Sequence, residues 1–294
     1  MRKITLFLMS EKGYNALKSI IAEFGSNVLD LIVVGRDKQV SNDYSKEILK
    51  ISNEYGIKTV DRSETYTVNT PYAIAISWRW MIATSDTFQL ITLHDSLLPK
   101  YRGFSPLVNQ LINQEKYIGV SAILSTEEYD KGDIIFQTKT AIEYPIKIKD
   151  AIAKVSKLYA EVILRVVTLL GKKESLVLVS QNEAEASYSL WRNENDYSID
   201  WNQKSSTIRR FIDAVGEPYK GASTKMLGKK IRIYEVNEEQ DVQIINRDCG
   251  KVIFMRDGYP VIVCGEGLLK ITNAIYEDSG ASIFPFKKFR IQFT

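Results

Sequence analysis

The sequence predicts an α/β protein: a doubly wound, mostly parallel sheet followed by a smaller C-terminal β-barrel-like domain. Three observations lead there. Short continuous apolar runs occur at Ile4–Met9, Leu31–Val34, Ala73–Ser77 and Leu90–His94. They alternate with segments whose apolar residues recur at helical spacing, Tyr14–Phe24 and Tyr44–Tyr55, the signature of parallel strands covered on both faces. After Gly171 the pattern changes to short strand-like runs separated by turn signals, as in a small barrel.

Taken in order, Ile4–Met9 reads as a buried strand and Leu31–Val34 as a second, ended by Gly35. Tyr117–Ser125 and Asp133–Ile142 extend the sheet. Lys147–Leu170 reads as a long helix, because Ile152, Val155, Tyr159, Val162, Ile163 and Val166 fall on one face. Glu174–Ser189 has the pattern of a surface connector, Trp191–Trp201 is rich in Asn, Asp, Glu and Ser, and Ser205–Val215 reads as a helix. Strands are expected at Lys229–Val236, Gly250–Arg256, Tyr259–Cys264 and Leu268–Thr272, with Asp257-Gly258 as a hairpin turn. This divides the chain into a first domain at 1–189, a linker at 190–203 and a second domain at 204–294.

Composition narrows the function. A chain of 294 residues with 45% hydrophobic and 26% charged residues can bury a sizeable core. A net charge of +3 allows an anionic ligand without the basic stripe of a nucleic-acid binder. Cys249 and Cys264 lie far from any His- or Cys-rich pattern, which argues against a disulfide scaffold and a zinc site. The run Ile4–Met9 after Met1-Arg2-Lys3 is too short for a signal segment or membrane span, so a cytoplasmic location is expected.

The chain has one histidine, and it opens the segment His94-Asp95-Ser96-Leu97-Leu98-Pro99-Lys100-Tyr101-Arg102-Gly103. Ligand sites of open α/β sheets lie at the carboxyl ends of strands, and imidazole exchanges protons near neutral pH. A structural His at a strand end is the competing reading. An acidic loop, Glu127-Glu128-Tyr129-Asp130-Lys131-Gly132-Asp133, precedes a later strand and could supply a carboxylate to orient His94. A solvated turn is its plain alternative. Ser105-Pro106 reads as an N-cap and first residue of a helix.

Together these segments, with Asp130-Lys131-Gly132-Asp133-Ile134-Ile135, resemble the folate-dependent formyltransferases. The resemblance continues through Ser198-Ile199-Asp200-Trp201 and Pro218-Tyr219-Lys220-Gly221-Ala222, which look like the start of the family's appended domain. It implies a Rossmann-like formyltransferase domain and an Asn-His-Asp triad that acts on 10-formyltetrahydrofolate as formyl donor. His94 and Asp130 match two triad positions, while Thr92 stands where the family has Asn. An amide donor to an oxyanion is worth about 10²–10³ in rate. Either the Thr92 hydroxyl substitutes, or Asn109 or a water does, or the reaction is altered.

The resemblance also implies a pterin-binding loop at Trp78, Arg79, Trp80, Met81 and Ile82, with Tyr129 and Asp133 on the same ligand. Trp78 and Trp80 would equally serve as core packing. The acceptor falls to Ser96, Lys100, Tyr101, Arg102, Gly103 and Asn109, with Arg102 suited to a phosphate. A surface Arg is the competing view. Gly35-Arg36-Asp37-Lys38-Gln39-Val40-Ser41-Asn42 is short and mixed in charge, unlike the long basic loop that reads initiator tRNA. A nucleotide-linked amino sugar is therefore the expected acceptor. Methionyl-tRNA, a related one-carbon or carbamoyl-type transfer, and a non-catalytic folate-binding module are the alternatives. The C-terminal domain is expected to be structural or to support a homodimer.

Overall fold

The computed structural model describes residues 2–38, 40–83, 86–172, 176–286 and 288–294. Met1, Gln39, Glu174 and Ser175, on which the readings of the N-terminus, the loop after the second strand and the connector partly fall, lie outside the described residues. The chain forms two compact units: Met1–Leu107, Lys116–Ile142 and Asp150–Leu190 make the first, and Val108–Glu115, Glu143–Lys149 and Trp191–Thr294 the second.

In the first unit, β1 (Ile4–Leu8), β2 (Leu29–Val34), β3 (Thr59–Asp61), β4 (Tyr72–Ile76) and β5 (Gln89–His94) are joined through α1 (Ser10–Phe24) and α2 (Ser45–Glu54). β6 (Arg102–Gly103), β7 (Tyr117–Leu124), β8 (Ile134–Ala141), α4 (Ile148–Gly171) and β9 (Tyr188–Ser189) follow, while most of α3 (Pro106–Ile112) belongs to the second unit. The seven-stranded sheet has the order β3-β2-β1-β4-β5-β7-β8. β1 is buried along its whole length, as are Leu31–Val34 of β2 and Ala73–Ile76 of β4, which is why these segments read as continuous apolar runs.

The sheet is mixed. β1 to β5 pair in parallel, but β7 runs antiparallel to β5, with His94 opposite Ser121, and β8 antiparallel to β7. The expected mostly parallel sheet thus carries an antiparallel edge. Tyr159 of α4 is fully buried and donates to the Leu93 carbonyl at 3.2 Å, tying this helix to the end of β5.

The second unit contains α5 (Ser205–Val215) and β10 (Ala222–Met226), β11 (Lys229–Glu239), β12 (Val252–Arg256), β13 (Tyr259–Val263) and β14 (Leu268–Tyr276). They form one antiparallel sheet in the order β10-β11-β14-β13-β12. Residues near the C-terminus bridge both edges, Phe293 to Met226 and Gln292 to Lys251, so the sheet closes toward the barrel expected. Asp257 and Gly258, at φ 53° and 81°, form the predicted hairpin turn between β12 and β13. Ile199 and Trp201, from the stretch read as a linker, are buried, and Trp201 Nε1 donates to Thr224 Oγ1 at 3.1 Å.

Arg232, buried on β11, anchors an ion-pair cluster with Glu194 and Glu277, which Lys230 joins. Burial pushes the Glu194 carboxyl up, but Lys230 and Arg232 outweigh it and hold the group at about 2, below its ordinary 4.5. A depressed folded-state value contributes stability above 4.5 that is lost as pH falls toward 2. The unfolding midpoint of the parent is therefore expected to fall over that range more steeply than that of Glu194→Gln, as read by thermal melts across pH. Among the described residues no helix is long and apolar enough to cross a membrane.

Candidate active site

β5 delivers His94 to the carboxyl edge of the sheet, and the loop behind it folds back on the ring. Ser96 Oγ donates to the Lys100 carbonyl at 2.6 Å, and Ser121 Oγ to the Ser96 carbonyl at 2.6 Å. Tyr101, in the left-handed region at φ 59°, turns its carbonyl to within 2.7 Å of His94 Nε2. A carbonyl only accepts, so the Nε2 proton points there. Nδ1 faces the Asp130 carboxylate, 3.5 Å from Oδ2, and a proton gained at Nδ1 is held by an ion pair.

Asp130 is fixed on its other side by the backbone N–H of Gly103, which donates to Oδ2 at 2.8 Å. Gly103 has φ 97°, and a Cβ there would stand 2.5 Å from the Ser189 carbonyl oxygen. Asp130 itself has φ 55°, a conformation that costs an L-residue about 1–2 kcal/mol. Two residues on, a Cβ on Gly132 would lie 1.7 Å from the Leu124 carbonyl oxygen. Gly103 and Gly132 are thus required for the two motif segments to approach.

Thr92 lies on the same strand as His94, two residues back and so on the same face. Its hydroxyl is within 2.5 Å of Ser125 Oγ, a partner the sequence did not suggest. If Ser125 supplies the proton of that bond, the Thr92 hydrogen remains to donate to an oxyanion. Thr92→Val then removes one neutral hydrogen bond, worth about 0.5–1.5 kcal/mol. A rate loss of no more than about tenfold is expected in single-turnover measurements at saturating substrates.

Not every expected contact is available. Ser96 is buried and committed to its own turn, because the backbone it closes would otherwise lack a partner. Arg102 is also fully buried, and its guanidinium is engaged by side chains of the connector. Nε and Nη2 donate to Gln181 Oε1 at 3.1 and 2.8 Å, Nη1 and Nη2 to Glu183 at 2.9 and 2.7 Å, and Nη1 to the Tyr188 hydroxyl at 3.2 Å. In this structure the guanidinium is held by these three side chains. Asn109 belongs to the second unit, where Arg192 donates to its Oδ1 at 2.8 Å. Lys100 is exposed, and Tyr101 and Gly103 are half-buried. α3 starts at Pro106 as expected, while Ser105 sits at φ 50°, in the left-handed region rather than the extended one usual for an N-cap.

The loop after β4 sets aromatic rings beside the site. Trp78 packs edge-on against Phe7 and Trp80, with centroids 5.2 Å apart in both pairs. Its Nε1 is buried without a hydrogen-bond partner among the described residues. The Arg62 guanidinium lies 4.1 Å over Trp80, and Arg79 pairs with Asp37 at 2.5 Å. Ile82 packs on the cluster around Phe7, while Met81 is exposed. In the acidic loop, Tyr129 is exposed against Phe104 at 6.0 Å, and the Asp133 carbonyl accepts from Leu124 N. Among the described residues no cluster of His, Cys, Asp and Glu could hold a metal ion.

The described part of the connector is not passive. β9 pairs in parallel with β6, Val179 exchanges both backbone hydrogen bonds with Ile134, and Ser187 Oγ accepts from Tyr101 N at 3.0 Å. Gln181, Glu183 and Tyr188 surround Arg102. The polar composition of 176–189 concealed this, since its contacts are made by individual side chains with residues far away in sequence. Behind His94, Lys12 and Tyr159 both bind the Asp95 carboxylate, an equally unsignalled group.

Family models described as formyl transferase and as formyl transferase, C-terminal domain, match residues 82–167 and 193–281. The chain belongs to the formyl transferase family. A methionyl-tRNA formyltransferase of Syntrophomonas wolfei is 27% identical over 263 residues, covering 87% of this chain and 81% of the relative. The solved sugar 3N-formyltransferase WlaRD, crystallised with dTDP and 5-N-formyl-tetrahydrofolate, superposes with a TM-score of 0.69 at 19% identity, over 92% of this chain and 97% of its own. HypX from Aquifex aeolicus, in complex with tetrahydrofolic acid, gives 0.63 at 17% identity over 94% of this chain. The chain spans 44% of HypX. The enzyme is thus a formyl-transferring one, with the fold of these structures and the two-part organisation of the family.

Proposed function

We propose that the enzyme transfers the formyl group of 10-formyltetrahydrofolate to the amine of a nucleotide-linked amino sugar, with His94 and Asp130 as its reacting pair. The donor reading is supported by family membership and by the reduced folates in WlaRD and HypX. The residues fit such a ligand. The orphaned Trp78 indole N–H and the exposed Met81 flank the loop after β4, and Arg79, Trp80, Ile82, Tyr129 and Asp133 complete the set that would hold it.

When bound, the folate supplies an activated formyl carbon. The enzyme's own residues then manage protons. The amine that attacks must lose one, and the departing nitrogen must gain one. His94 Nδ1 is the atom that takes and returns it, and Asp130 stabilises the imidazolium formed. Thr92, on the same face of the strand two residues before His94, is the side-chain donor offered to the oxyanion that develops. Lys100, which is exposed, would meet the acceptor.

The observation that favours a sugar over tRNA is the pairing of cations around the loop after β2. Arg36 Nε bonds Asp61 at 2.8 Å and Arg79 bonds Asp37 at 2.5 Å. A surface that binds tRNA phosphates uses cations to neutralise them, and here both guanidiniums are given to carboxylates. Methionyl-tRNA is the second reading, favoured by the length of the match to the Syntrophomonas wolfei protein. Transfer of labelled formyl from 10-formyltetrahydrofolate to a panel of dTDP-linked amino sugars, run beside methionyl-tRNA, decides between them. Label in a nucleotide sugar is expected; label in methionyl-tRNA alone would overturn the acceptor assignment.

A further inference from the structure

We propose that Gln181 is a positioning residue for Asp130, and that the segment 181–189 is a strap holding the two motif segments in register. The inference rests on His94 and Asp130 being the reacting pair proposed above. Gln181 uses its whole amide. Nε2 donates to the Asp130 carbonyl at 2.7 Å and to the Gly132 carbonyl at 2.8 Å, while Oε1 accepts twice from Arg102. Two donors and a twofold acceptor on one flexible stem exist in Gln and Asn alone, and Asn is one methylene shorter.

The turn that Gln181 grips is a strained one. Asp130 sits at φ 55°, and Gly132 passes so close to Leu124 that no side chain fits. Conformations of this kind persist only where their surroundings over-determine them. From this turn the carboxylate reaches both Gly103 N and His94 Nδ1. The opposite face of Gln181 holds Arg102, the residue next to Gly103. Glu183 grips the outer edge of that guanidinium, and the strap backbone carries Arg102 N on the Ser187 carbonyl at 2.8 Å and Phe104 N on the Ser189 carbonyl at 3.0 Å. One side chain therefore bridges the loop that carries the Asp130 carboxylate and the loop that receives it. Arg102 and Glu183 set the position of Gln181, and Gln181 sets the aim of Asp130.

The single histidine of the chain makes this measurable without an acceptor. The probe is the ¹⁵N spectrum of the His94 imidazole in the full-length enzyme at fixed pH, recorded for the parent, Asp130→Asn, Gln181→Ala and the double variant. Gln181→Ala is expected to displace the Nδ1 resonance in the same direction as Asp130→Asn, by at least half as much, and the double variant is expected to match Asp130→Asn. Gln181→Glu, which keeps an acceptor for Arg102 and removes both amide donors, should repeat the displacement and serves if Gln181→Ala does not fold. A displacement in Asp130→Asn with parent-like spectra in both Gln181 variants would overturn the positioning role and leave the reacting pair standing. An added displacement in the double variant would also overturn it, because Gln181 would then act on the ring independently of Asp130. No displacement in Asp130→Asn would remove the pair itself, and the positioning role with it.

Discussion

His94→Asn is expected to lower the rate of formyl transfer by about 10²–10⁴, the range for loss of a positioned proton-transfer group, while leaving the fold in place. Two polar contacts hold the ring. Nε2 donates one hydrogen bond to the Tyr101 carbonyl, and Nδ1 faces Asp130 across 3.5 Å. Losing one neutral bond costs about 0.5–1.5 kcal/mol, and a change of that size moves the midpoint of a chain this long by no more than about 6 °C. Asp130 keeps its bond from Gly103 N in the variant, so its carboxylate is not stranded. Single-turnover rates beside thermal melts check both halves. A midpoint that collapses while the folded fraction keeps its specific rate would make His94 a structural residue and move the chemistry elsewhere.

The parts of the molecule legible in the sequence are those that hydrophobic burial writes into local pattern. β1, β2, β4 and β5 are apolar runs because both faces of the sheet are covered, and His94 stood out as a unique polar residue at the end of one of them. Direction of pairing left no such trace. β7 alternates no differently beside β5 whether it runs parallel or antiparallel, so the mixed edge had to be seen. The turn between β10 and β11 was missed for a related reason: Leu227 and Gly228 take φ 52° and 77°, and Leu is not a residue that announces a left-handed turn. The strap was hidden more deeply. Gln181 lies 51 residues from Asp130 and 79 from Arg102, and a connector rich in polar residues looks the same whether its side chains meet water or a buried guanidinium. Arg102 carries the same ambiguity, since its forked donors suit a phosphate and a Glu-Gln pair alike.

The largest expected effect on stability lies behind His94, at a buried charge pair. Lys12 Nζ binds Asp95 Oδ2, and the Tyr159 hydroxyl donates to Oδ1. The side chains of Lys12 and Asp95 are 10% and 14% exposed. Burial pushes the Asp95 carboxyl up, yet the Lys12 charge and hydrogen bond, the Tyr159 hydroxyl and the adjacent His94 together hold it below its ordinary 3.8. Asp95→Leu removes the anion and leaves the Lys12 ammonium buried without its counter-charge, which typically costs about 3–5 kcal/mol. Lys12→Met together with Asp95→Leu replaces both charges by apolar groups, an exchange that is often neutral, and the one hydroxyl proton of Tyr159 can then go to the Leu93 carbonyl, 3.2 Å away. The single variant is therefore expected to unfold at clearly lower denaturant than the parent, and the double variant to recover most of the difference. The pH dependence has a fixed sign. A carboxyl held below 3.8 contributes stability above that value and loses it as pH falls through the folded-state value, so the advantage of the parent over the double variant should shrink only in acid. Denaturant titrations of the three proteins across pH test this. A single variant no less stable than the double would show that Lys12 reaches water once Asp95 is gone, and that the pair does not brace the strand end that carries His94.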